Sequence, residues 1–193
     1  MRLNKKEVKH LLGRYDVIFF DLDGTLVDTN NVNYCLYRNI FKRFGLSISR
    51  KKWELFFNGS RLDMVLDKYL ESIGQLNLLK SVLNYFKKNG DKLKMKLLKS
   101  KKIRFIDAGY FLLEEAINLK KQLVLCTSSR RIFVYSILEK LNINDVFDFV
   151  ICGDDVKRGK PHPDIYNKAK SLTKNKRSLV VEDSLSGLIS AQR

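Results

Sequence analysis

Four short apolar runs along the chain each stop abruptly at polar residues. Val17-Ile18-Phe19-Phe20 leads into Asp21-Leu22-Asp23-Gly24-Thr25, and Leu123-Val124-Leu125-Cys126 into Thr127-Ser128-Ser129. Phe149-Val150-Ile151-Cys152 leads into Gly153-Asp154-Asp155, and Leu179-Val180-Val181 into Glu182-Asp183-Ser184. None alternates apolar with polar, which is the pattern of strands buried on both faces of a parallel sheet. Helical patterns lie between them, over Tyr110 to Lys121, Ile132 to Leu141 and Pro163 to Leu172. In the first, Phe111, Leu112, Ala116 and Leu119 recur at helical spacing. This alternation predicts right-handed βαβ units and a doubly wound α/β sheet. Ligands of such sheets gather at the carboxyl ends of the strands, and all four polar clusters fall along that edge.

The stretch 29–103 has no comparable strand run. It carries amphipathic segments of helical length: Val32 to Phe44, Arg50 to Phe57, Arg61 to Ile73, and a Lys-rich one from Leu76 to Lys99. The predicted organisation is a core of 1–28 and 104–193 with an all-helical insertion over 29–103. Tyr34, Leu36, Tyr37, Ile40, Phe41 and Phe44 read as helix packing, and so does Trp53.

Composition narrows the class. With 193 residues, 45% hydrophobic and 30% charged, the chain suits one domain with an insertion and a core that needs no staples. Cys35, Cys126 and Cys152 form no metal-ligand spacing, and their odd number argues against a disulfide framework. Buried thiols in a reduced, cytoplasmic setting are expected. No apolar stretch is long enough to span a bilayer, and no signal-peptide hydrophobic region follows the charged start. The net charge of +16 favours anionic partners. Leu93, Met95, Leu97 and Leu98 interleave with Lys92, Lys94, Lys96 and Lys99, which reads as a helix with one buried face. No nucleic-acid module is present, so the charge is read as steering small anionic substrates. A monomer is the default assembly.

The strand ends suggest a chemistry. Asp21 and Asp23 reach one pocket if the strand's pleat persists. Two such carboxylates repel unless a cation or a proton sits between them, and Glu182 and Asp183 add further charge. Hard oxygen ligands with open positions suit Mg²⁺, which recruits phosphate oxygens. Lys160, Thr127 and Ser128 are placed to hold the remaining anionic oxygens. These are the parts for phosphoryl transfer through an aspartyl phosphate.

Asp21-Leu22-Asp23-Gly24-Thr25-Leu26 after an apolar strand resembles the first motif of the haloacid-dehalogenase-like (HAD) hydrolase superfamily. Leu125-Cys126-Thr127-Ser128-Ser129 resembles its second motif, Gly159-Lys160-Pro161-His162-Pro163-Asp164 its third, and Val181-Glu182-Asp183-Ser184 its fourth, all in order. The resemblance implies that Asp21 attacks phosphorus, and that Asp23 protonates the leaving group and then activates water. It implies that Thr127 and Lys160 stabilise the transferring group. Mg²⁺ would be held by Asp21, Asp183 and the backbone carbonyl of Asp23, with Glu182 supporting. The helical insertion is similar to the family's cap, which closes over small phosphorylated metabolites, and Gly59-Ser60-Arg61 resembles its substrate-facing turn.

The subgroup resembled is that of β-phosphoglucomutase and phosphoglycolate phosphatase. Mutase-like members place a histidine at the start of the first cap helix, where this chain has Asn33, and this tilts the reading to a phosphatase. Relatives also continue beyond the helix that Ser184 begins with a further strand and helix, so the last strand is expected at an exposed edge. The alternatives are a sugar phosphomutase and, from another class, an inactive basic binding protein. Several polar residues have plainer readings. Ser128 and Ser129 are expected to cap the following helix, and His162 to shape its loop. Asp28, Asp154 and Asp155 suit either caps or the pocket, and His10 suits the surface.

Overall fold

The computed structural model describes residues 4–57 and 62–193, and within them everything but the side chain of Met64. The elements in chain order are α1 (Lys5–Gly13), β1 (Val17–Phe20), α2 (Asn30–Lys42), α3 (Arg50–Phe56), α4 (Leu62–Ser72) and α5 (Leu79–Ser100). They continue with α6 (Asp107–Asn118), β2 (Gln122–Cys126), α7 (Arg131–Lys140), β3 (Phe149–Ile151), α8 (Asp164–Leu172), β4 (Ser178–Val181) and α9 (Leu185–Gln192). The chain divides into two compact units, one of Met1–Asp28 with Ile103–Arg193 and one of Thr29–Lys102.

In the first unit the strands form a parallel sheet in the order β3-β2-β1-β4. β1 is central, and all four of its residues are buried. That position explains why its sequence does not alternate: both faces are covered. On one face Val17 and Phe19 pack with Val124, Cys126 and Ile151 against Ile165, Tyr166 and Ala169 of α8. β4 pairs with β1 and, among the described residues, lies at the edge of the sheet. The returning chain is tied beside the end of β1, where the Asp28 N–H donates to the Arg104 carbonyl and the Ile106 N–H to the Leu26 carbonyl. No helix among the described residues is long and apolar enough to cross a membrane.

α1 has no counterpart among the predicted helices. Its signal is local: Asn4 accepts from the Glu7 N–H while the Glu7 carboxylate accepts from the Asn4 N–H, a reciprocal cap. Lys5 then pairs with the buried Glu115 of α6 at 3.0 Å.

The second unit is helical throughout its described elements. Leu36, Tyr37, Ile40 and Phe41 of α2 recur at helical spacing and pack with Trp53, Phe57, Leu66, Tyr69 and Val82. Aromatic rings dominate this core: Phe41 stacks on Tyr69 at 5.4 Å, and Phe57 meets Tyr69 edge-on at 5.1 Å.

Helix α6 can lie close to the loop after β1 because residue 109 is glycine. A Cβ there would occupy the place of the Thr25 backbone oxygen. In an isolated helix Gly→Ala adds about 1 kcal/mol of stability. Gly109→Ala is expected instead to lose about 1–3 kcal/mol, because backbone cannot yield as a side chain does. Chemical denaturation of the variant reads the sign directly, and a gain would contradict the packing described.

Candidate active site

Backbone geometry carries four strand ends to one place. The Asp21 N–H donates to the Val181 carbonyl at 3.0 Å, which continues the β1–β4 ladder one step past β1. The chain then turns tightly: Gly24 adopts a positive φ of 93°, and its N–H donates to the Val27 carbonyl at 2.9 Å. A Cβ on Gly24 would meet the Asp183 carboxylate, so glycine both permits the turn and admits the neighbouring acid. Leu22 is buried between the two aspartates, which leaves Asp21 and Asp23 on the same side of the chain.

Lys160 is the hub. Its ammonium donates to Asp21 Oδ1 at 2.8 Å, to Glu182 Oε2 at 2.5 Å and to the Cys126 carbonyl at 3.1 Å. It also lies 5.2 Å from the centroid of the Tyr166 ring. The side chains of Lys160 and Glu182 are only 4% and 1% exposed. Burial alone would lower the lysine's pKa, but Asp21, Tyr166 and Glu182 outweigh it and hold the ammonium charged. Asp21 is pushed up to about 7 by burial; Lys160 opposes the shift, while Glu182 and Asp23 add to it. Two carboxylates share one ammonium, so neither is fully compensated.

Glu182 is engaged at both oxygens. Oε2 accepts from Lys160 and from the Tyr166 hydroxyl at 2.9 Å, and Oε1 from the Ser184 hydroxyl at 2.7 Å and the Ser184 N–H at 3.2 Å. Ser184 in turn caps α9 by accepting from the Gly187 N–H at 3.0 Å. Gly187 has to lack a side chain, since a Cβ there would coincide with the Glu182 carboxylate. Asp183 accepts from the Thr25 hydroxyl at 2.8 Å, and burial raises its pKa despite that bond.

Asp21, Glu182 and Asp183 each offer an oxygen, and these lie within 4.8 Å of one another. An all-carboxylate donor set with a single lysine among it has the hardness and the charge deficit that suit Mg²⁺. Asp23 points its Oδ2 to a second group: Ser129 Oγ donates to it at 2.6 Å, and Thr127 Oγ1 lies 3.4 Å away. Thr127 is buried, whereas Ser128 is exposed. Arg61, with Gly59 and Ser60, lies outside the described residues.

Several of the plainer readings change. Neither Ser128 nor Ser129 caps α7. The N-cap position is Arg130, which makes no side-chain cap, and the Arg131 N–H is taken by Asp154 Oδ2 at 2.6 Å. Asp155 holds the Cys152 N–H at 2.8 Å and the Arg131 guanidinium at 2.6–2.7 Å. Those bonds keep its pKa below the usual range against the effect of burial. Asp154 and Asp155 are thus committed to loop structure. Asp28 and His10 are exposed, and the His162 carbonyl accepts from Ser190 at 2.6 Å. Tyr166, Thr25 and the hydroxyl of Ser129 contribute to the site without having been singled out for it. Ser129 has the local signal of a helix cap, and for both Tyr166 and Ser129 only tertiary contact reveals the role.

A model of the haloacid dehalogenase-like hydrolase family matches residues 18–193. The validoxylamine A 7'-phosphate phosphatase of Streptomyces hygroscopicus subsp. limoneus is 27% identical over 183 residues, covering 93% of this chain and 82% of that protein. The pyrophosphatase PpaX of Oceanobacillus iheyensis is 29% identical over 181 residues, covering 91% and 78%. The crystal structure of β-phosphoglucomutase from Clostridium difficile shares the fold with a TM-score of 0.70 at 23% identity, covering 92% of this chain and 80% of that one.

Removing the ammonium alone is expected to be damaging. Lys160→Met leaves Asp21 and Glu182 as neighbouring buried carboxylates and should lower stability by about 3–5 kcal/mol in urea denaturation near neutral pH. The pH dependence follows from Asp21, whose folded pKa of about 7 exceeds the ordinary 3.8. Its contribution to stability is fully present below the lower value and is lost as pH rises through the higher one. In EDTA, the stability of the wild type relative to Asp21→Asn should therefore fall from about pH 4 to about pH 7 and level off above that. A flat difference over that range would contradict the environment described for Asp21.

Proposed function

The chain belongs to the haloacid dehalogenase-like hydrolases, and we propose that it is a Mg²⁺-dependent phosphatase that hydrolyses a small phosphorylated metabolite through a phosphorylated Asp21. One observation carries the reading: a buried carboxylate at a strand end, gripped at one oxygen by a buried ammonium, with a second aspartate two residues on.

Lys160 holds Asp21 Oδ1, which leaves Oδ2 to attack phosphorus. As that bond forms, the ester P–O bond breaks and Asp23 gives its proton to the departing oxygen. Asp23 then takes a proton from water; the water oxygen displaces Asp21 from phosphorus, and phosphate leaves. The Thr127 hydroxyl and the Lys160 ammonium offset charge on the transferring group. Mg²⁺, held by Asp21, Asp183 and the backbone carbonyl of Asp23, would neutralise phosphoryl oxygens when bound. Glu182, with both oxygens engaged, supports Lys160 in this scheme.

The helical unit, Thr29–Lys102, is the element we assign to substrate selection. Asn33 sits in the first turn of α2 and offers no imidazole for a mutase's proton relay, which favours hydrolysis over intramolecular transfer. The net charge of +16 suits capture of an anionic substrate.

The test is phosphate release from p-nitrophenyl phosphate with Mg²⁺ and with EDTA, wild type beside Asp21→Asn. Turnover should need Mg²⁺ and fall by at least about a thousandfold in the variant. Activity that persists in EDTA or in Asp21→Asn would rule the mechanism out. A requirement for a sugar bisphosphate activator without net phosphate release would indicate the mutase.

A further inference from the structure

We propose that Ser129 is the positioning residue for Asp23: its hydroxyl holds Asp23 Oδ2 and fixes the carboxyl group for both proton transfers. The inference rests on the phosphatase reading and deepens it.

The Ser129 Oγ–Asp23 Oδ2 distance of 2.6 Å is that of a short, well-formed O–H···O bond. The contact from Thr127 to the same oxygen, at 3.4 Å, is much weaker. Ser129 is itself fixed through its backbone. Its N–H donates to Thr127 Oγ1 at 3.1 Å, and its carbonyl accepts from the Gly153 N–H at 2.9 Å. Gly153 makes that approach possible, because a Cβ there would run into the Ser128 carbonyl oxygen. A serine just before a helix ordinarily caps it. Here Asp154 takes the Arg131 N–H, which leaves the Ser129 hydroxyl for Asp23.

An acid that must act twice, first giving and then taking a proton, gains from having one oxygen fixed. In the first half-reaction the Oδ1–H bond breaks as the departing ester oxygen gains that proton. In the second, a proton of the attacking water passes to Oδ1 while its oxygen bonds to phosphorus and the Asp21 O–P bond breaks. Ser129 keeps its own hydrogen throughout, donating to Oδ2 in both states. Asp23 then needs no rotation between the halves. Thr127 accepts from the Ser129 N–H, and its long contact to Asp23 Oδ2 leaves its hydroxyl hydrogen easily redirected to the phosphoryl group.

The leaving group separates this role from a merely structural one. An aryloxide departs with little protonation, whereas an alkoxide needs the acid. The experiment measures kcat/KM, which reports the step that breaks the ester bond, for p-nitrophenyl phosphate and glycerol 2-phosphate with Mg²⁺. Ser129→Ala should lose about tenfold or more on glycerol 2-phosphate and stay within about threefold on the aryl ester. Ser129→Thr, which keeps the hydroxyl, should restore most of the alkyl activity. Equal losses on both substrates would overturn the proposal, because they would mark a structural or phosphoryl-binding role. No loss on either would overturn it too. Asp21→Asn run alongside keeps the two readings apart. If turnover survives that change, the aspartyl-phosphate reading fails; if it is abolished but the leaving-group pattern is missing, only the role of Ser129 falls.

Discussion

The ammonium of Lys160, held between Asp21, Glu182 and the Cys126 carbonyl, joins the carboxyl ends of β1, β2 and β4 at a single point. A parallel sheet brings its strand ends to one edge whatever their sequence, but strands that end in acids arrive there repelling one another. The lysine offsets enough of that charge for the sheet to close, yet not all of it. The deficit that remains leaves the edge with the charge that suits a further cation. The packing around the lysine follows: the Tyr166 ring faces the ammonium while its hydroxyl holds Glu182, which fixes α8 against the sheet.

Close approach is the second constraint. Four of the described glycines stand where a carboxylate or carbonyl oxygen occupies the space of a Cβ: Gly24 by Asp183, Gly187 by Glu182, Gly153 by Ser128 and Gly109 by Thr25. Each lies in a loop or first helical turn beside a strand end, so the pocket's acids are crowded by backbone. Backbone N–H groups and short hydroxyls then satisfy the acids where longer side chains could not fit.

The sheet was legible because buried parallel strands write themselves as unbroken apolar runs, and all four predicted runs form strands in one sheet. The helices α2 to α8 were legible to within a few residues from their apolar spacing; α1, whose signal is a reciprocal cap and not a stripe, was not. The acids and Lys160 could be found because charged residues at the ends of buried strands have few structural reasons to be there. Other roles were not legible. Ser129 stands just before α7, yet the side chain that takes the Arg131 N–H is that of Asp154, 23 positions downstream, and nothing local says that Ser129 turns to Asp23 instead. Tyr166 lies on the buried stripe of α8, so its hydroxyl bond to Glu182 is invisible in a pattern that records only hydrophobicity.

The site's bonds also join residues far apart in the chain: 139 positions separate Asp21 from Lys160, and 158 separate Thr25 from Asp183. A growing polypeptide therefore carries β1 for most of its synthesis before β4 exists to pair with it. At the usual ribosomal pace of about 5–20 residues per second, that wait is roughly 10–30 s. During it Val17–Phe20, the most thoroughly buried strand of the finished sheet, has an open edge. The helical unit, built from nearer neighbours in sequence, has no such delay. The strand that leads into Asp21 is thus made first and completed last, and the nascent chain is most exposed to misassociation there.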